Sequence, residues 1–88
     1  MRLIRDHILR TVHGKAVLMP FSADETDFHG MIVLNHTGEF LCRMLGQETD
    51  RASLTAALAQ EYGMEPQQIQ GDVDAFLQEL SDCHMLLP

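Results

Sequence analysis

At Asn35 the hydrophobic period of this chain changes, and that change restricts the fold more than any other feature. Before it, Phe28, Gly30, Ile32 and Leu34 alternate with His29, Met31 and Val33, the period of two that gives a strand two distinct faces. After it, Phe40, Leu41, Met44 and Leu45 recur at helical spacing and Gly46 closes the segment, so a short helix is predicted over about residues 36–45. Asn35 or Thr37 can cap that helix, because either side-chain oxygen can accept from an unpaired backbone N–H of the first turn. A strand over 28–34 is thus pinned directly to a helix.

Upstream, the run from Ile8 to Met19 is β-leaning on both sides of His13-Gly14, where the glycine supplies the positive φ of a tight turn. Strands are predicted near 7–12 and 15–19. A helix over 3–12 competes, since Leu3, Ile4, Ile8, Leu9 and Val12 also fit helical spacing. The polar stretch 20–27 reads as a loop and a potential hinge, which would permit strand exchange between two chains and so a homodimer.

Downstream, Thr49-Asp50 offers a cap, Leu54, Ala57, Leu58 and Tyr62 form a helical stripe, and Gly63 ends it. Pro66 suits the first turn of a third helix, whose stripe is Ile69, Val73, Phe76, Leu77 and Leu80, ending near Ser81. The apolar tail from Met85 to Pro88 is expected to pack back on the core. Gly71 lies opposite the third stripe and has no evident reason in the sequence. The order predicts a single α+β domain over 1–88, winged-helix-like, with a three-stranded antiparallel β-sheet packed on three α-helices.

Size and charge then narrow the function. A domain of 88 residues buries only roughly 60 to 65% of its unfolded surface, which leaves little room for a deep enclosed active site. Neither a membrane-spanning run nor a signal-peptide core is seen, and a cytoplasmic location is expected. Cys42 and Cys83 lie 41 residues apart within apolar helical patterns, as reduced, packed thiols do. The net charge is −7, and residues 52–88 contain no Lys or Arg. Nucleic acid would be repelled there.

Catalytic and metal chemistry find no constellation. The histidines at 7, 13, 29, 36 and 84 make no HxxxH pair and no CxxC is present, so no metal site and no cofactor is assigned. Cys42 falls mid-helix and Cys83 at an acidic helix end, neither of which activates a thiolate. The 34–38 turn has one glycine and no following Lys, too little for a phosphate loop. Asp72 and Asp74 point about 200° apart on a helix and cannot act as an acid–base pair, whereas Asp72 and Glu79 share one flank of the stripe. No catalytic residue is assigned. What remains is a surface: the third strand as a sheet edge that an extended peptide can complete, with the third helix walling a groove beside it.

The segment Gly30-Met-Ile-Val-Leu-Asn-His-Thr-Gly38, then Glu61-Tyr-Gly63, then Asp72-Val73 with Phe76-Leu77 and Leu80, then Met85-Leu-Leu, resembles the PqqD-like family. That family comprises winged-helix chaperones of pyrroloquinoline-quinone biosynthesis and recognition elements for leader peptides of ribosomally made, modified peptides. Cys42 stands where relatives often carry an aromatic residue. The resemblance implies a chaperone without catalysis that binds a precursor's leader as an added strand and presents it to a modifying enzyme, often a radical S-adenosylmethionine protein. It places the peptide-binding edge at His29, Gly30, Met31, Ile32 and Val33 and the helix wall at Ile69, Asp72, Val73 and Phe76. The alternative is a DNA-binding winged-helix regulator, whose recognition helix would need Arg or Lys that residues 64–82 lack.

Overall fold

The computed structural model describes residues 1–21 and 30–88. A hairpin opens the main sheet: β2, His7–Val12, pairs antiparallel with β3, Lys15–Pro20, after a short first strand β1, Arg2–Leu3. Val12 opposes Lys15, so the loop is only His13 and Gly14, and both are left-handed, with φ of 51° and 80°. A two-residue turn needs both central residues there to follow the right-handed strand twist, so His13 shares the strain that the sequence assigns to glycine alone. The competing helix over 3–12 does not form.

The third strand of this sheet, β4, is Ile32–Leu34, shorter than the predicted 28–34. Its register on β3 sets Leu18 against Ile32, Val17 against Val33 and Ala16 against Leu34. Continuing that ladder would bring Pro20 opposite Gly30, and Pro20 has no N–H to give, so the pairing lapses before Met31. His29, and the 20–27 hinge from residue 22 onward, lie outside the described residues. The sheet order is β2-β3-β4, with β3 in the middle.

Asn35 leaves the strand and caps α1, His36–Met44: its Oδ1 accepts from the Gly38 N–H at 2.8 Å and from the Thr37 hydroxyl at 2.8 Å. The helix does not stop on a left-handed Gly46 as expected. Leu45 keeps a right-handed backbone, and the terminal carbonyls are taken by the N-terminal segment: Leu3 N–H donates to Leu45 O at 2.9 Å and Arg2 Nη2 to Gly46 O at 3.1 Å. Partners that satisfy the last carbonyls remove the need for a glycine cap.

Helix α2, Arg51–Tyr62, begins at Asp50, whose carboxylate accepts from Ser53 N–H at 2.7 Å, and ends at left-handed Gly63. Helix α3, Pro66–Asp82, begins with Pro66 in the first turn, while Gln68 Oε1 reaches back to the Glu65 N–H at 3.0 Å. The tail forms β5, Leu86–Leu87, antiparallel to β1, and Ile4 N–H donates to Met85 O at 2.9 Å. Leu3, Leu18, Leu45, Leu54, Leu58, Val73, Leu80 and Met85 are fully buried, so sheet, helices and terminal ladder share one core. No helix of the described residues is long and apolar enough to cross a membrane.

Candidate functional site

Strand β4 is a sheet edge. Its inner side chains, Ile32 and Leu34, are buried, while Val33 and the preceding Met31 are more than half exposed, at 59% and 56%. It pairs with β3 on one side and has no ladder partner on the other among the described residues. An edge of this kind offers unpaired N–H and C=O groups in a row.

Beside that edge runs α3. Asp72, Ala75, Phe76 and Glu79 recur at three, four and seven residues and so share one helix flank. Two adjoining concavities of about 320 Å³ each lie between helix and strand and have Asn35, Phe76 and Glu79 in common. The first is completed by Lys15 and β4, the second by Thr37, Leu41, Leu58, Asp72 and Ala75. Together they make a continuous groove that starts along the strand and passes beyond its end.

Gly38 explains how closely the walls meet. A Cβ there would stand 3.2 Å from Phe76 Cε1 and 3.3 Å from both Leu34 Cδ2 and Asn35 Oδ1. The first turn of α1 can approach the Phe76 ring because position 38 has no side chain.

The charges around the groove divide by flank. Asp74, on another flank of α3, is held by Arg51 through two hydrogen bonds, Nε to Oδ1 at 2.5 Å and Nη2 to Oδ2 at 2.7 Å. These bonds pull the Asp74 carboxyl below its ordinary range and raise Arg51. Asp50 is likewise lowered, mainly by the Ser53 amide it caps. The carboxylates of Asp72 and Glu79 make no hydrogen bond or ion pair among the described residues. Burial, helped by the charges of Glu39 and Glu79, pushes the Cys42 thiol up to about 12, and Cys83 is also raised, mainly by burial. Neither thiol is activated for attack at neutral pH. No cluster of three or more His, Cys, Asp or Glu that could hold a metal ion occurs among the described residues.

Of the residues assigned from sequence, Ile32, Val33, Asp72 and Phe76 line the groove. Gly30 and Met31 are exposed but precede the strand, and His29 falls outside the described residues. Ile69 and Val73 are corrected: at 3% and 0% exposure they face the core and support the wall from behind. Lys15, Asn35, Thr37, Leu41, Leu58, Ala75 and Glu79 were not assigned. Glu79 was within reach of sequence reasoning, since its flank is that of Asp72.

The family model of coenzyme PQQ synthesis protein D (PqqD) matches residues 15–86, from the start of β3 to the start of β5. The chain belongs to the PqqD family. The match contains the groove-lining residues of both concavities, so the PqqD domain and the candidate site coincide. No curated protein matches the chain. Among solved structures, TbiB1 in complex with the TbiA(beta) leader peptide has the same fold, with a TM-score of 0.77, 16% identity, and coverage of 98% of this chain and 94% of that one.

Proposed function

We propose that this PqqD-family chain binds the leader segment of a ribosomally made precursor peptide as a fourth strand on β4 and presents it to a modifying enzyme. The observation that carries this reading is the β4 edge, which has no ladder partner among the described residues and faces the α3 groove. Main-chain pairing along the edge would supply sequence-tolerant affinity, and the groove's side chains would supply selectivity. Because β4 is anchored to β3 and to the capped α1, the edge is already ordered and less freedom is lost when a disordered leader docks. The fold's likeness to TbiB1, whose structure holds a leader peptide, supports the same occupant.

In this reading the chain is a non-catalytic chaperone, and the chemistry belongs to its enzyme partner, such as a radical S-adenosylmethionine protein. The raised thiols and the shallow groove accord with that division. Exchange of β4 between two chains would form a homodimer that keeps the β3–β4 pairing and leaves the outer edge of β4 open to the peptide. The DNA-binding alternative finds no support: α3 carries Asp72, Asp74, Glu79 and Asp82 and no Lys or Arg, a surface that repels phosphate.

The test is calorimetry with a short precursor peptide, sought among the genes adjacent to this one. Val33→Pro and Met31→Pro remove backbone donors at two positions along the edge segment, and Phe76→Ala opens the groove wall without touching the backbone. Binding should be lost in the proline variants and weakened in Phe76→Ala, with circular dichroism unchanged. Wild-type affinity in all three folded variants would refute strand addition at this groove.

A further inference from the structure

The ladder available on β4 is short. Ile32–Leu34 spans roughly 10 Å at the rise of an extended strand, after which Asn35 turns away to cap α1. Three residues give a peptide only a few main-chain bonds and no means to choose between one extended sequence and another. Yet the groove continues past Asn35 into the second concavity, where no strand edge remains and only side chains can read the ligand.

That far end has a definite chemistry. Its accessible apolar surface is the half-buried Phe76 ring and Ala75, backed from beneath by the buried Leu41 and Leu58, and its rim carries the exposed carboxylates of Asp72 and Glu79. No cation of the α2–α3 layer answers them: residues 52–88 have no Lys or Arg, and Arg51 is committed to Asp74. At the strand end of the groove the charge is mixed, with Lys15 beside Glu79 in the lining. An apolar floor under an acidic rim matches a side chain with a long aliphatic stem and a cationic head. A purely aliphatic side chain would cover the floor and leave the carboxylates without a partner, and an acidic one would be repelled.

We propose that the leader is read in two parts: a short backbone pairing along β4, and, beyond Asn35, a Lys or Arg whose methylenes lie on Phe76 and Ala75 with its charge at the Asp72–Glu79 rim. This rests on the peptide-binding reading above and adds to it the residue class that sets specificity. The basic residue stands at a fixed spacing from the paired segment, and the preference belongs to this end of the groove alone.

The probe is a displayed library of random peptides, selected in parallel on the wild-type chain, on the Asp72→Asn/Glu79→Gln double variant and on Val33→Pro. Wild-type selection should enrich Lys or Arg at one position relative to a β-forming segment, and the double variant should keep the segment but lose the basic preference. A synthetic peptide from the wild-type pool should bind the double variant about two- to fivefold more weakly, the order expected of charge contacts at a solvent-exposed rim. Exchanging its basic residue for norleucine should cost a similar factor on the wild type and little more on the double variant. Enriched peptides without a positioned basic residue, or an equal basic preference on the double variant, would overturn the two-part reading while leaving strand addition in place. Failure of the wild type to enrich any peptide, or enrichment of the same pool on folded Val33→Pro, would instead overturn the peptide-binding reading beneath it.

Discussion

Cys42 follows Leu41, which backs the groove from the core, and its own side chain is buried and its thiol is pushed up to about 12, mainly by desolvation. At neutral pH it is protonated and shielded, and a thiolate is the reactive form. Iodoacetamide should leave Cys42 unmodified in the native protein and label it fully after unfolding in denaturant, as read by peptide mass spectrometry. Rapid native labelling would mean that the inner face of α1 opens easily. The same scale shows why Ile69 and Val73 were misread as wall residues. An apolar stripe on a helix signals a buried face, and sequence does not say whether that face meets a core or a ligand. Asp72 and Glu79 carried the better signal, because two carboxylates on one flank cannot be core, yet only the position of β4 shows that this flank borders a groove.

Among elements, the helices were legible nearly to the residue, because Asn35, Asp50, Gly63 and Pro66 each stop or start a helix by local bonding that the sequence states outright. Ends that depend on distant chain were not: α1 closes on carbonyls claimed by Leu3 and Arg2, and β4 ends where its partner strand runs into Pro20. The two glycines inside helices separate these cases. A Cβ at Gly71 would meet nothing within 4 Å, whereas one at Gly38 would crowd Phe76, Leu34 and Asn35. Gly71→Ala should therefore stabilise the fold by up to about 1 kcal/mol in urea denaturation, the usual gain of alanine in a helix interior. Nothing in the structure explains why glycine stands there. Gly38→Ala should show no such gain and should weaken peptide binding, since the Phe76 ring must shift to make room. Equal stabilisation by both changes would show that the α1–α3 contact tolerates a methyl group.

Across the whole molecule, the two ends of the chain hold the helical layer together. Met85 is fully buried, its carbonyl accepts from Ile4, and β5 pairs with β1. Sequence reading placed the tail against the core but found neither short strand, since two residues are too few to show a period and their partners lie across the chain. Met85→Ala should cost about 2–5 kcal/mol in unfolding free energy, the range for truncating a large core side chain. The loss should appear in the denaturation midpoint while the folded variant keeps its affinity for peptide, because Met85 lies outside both concavities. A cost near zero would mean the core relaxes into the space.

The β1–β5 pairing also orders events in time. Leu3 and Leu86 are neighbours in space and nearly the full chain apart in sequence, so their ladder closes the longest loop in the molecule. The β2–β3 hairpin and the α2–α3 pair involve near neighbours and can form early. On this loop-closure argument the ends are expected to close after them, and until then the Leu45 and Gly46 carbonyls just past α1 lack their Leu3 and Arg2 donors.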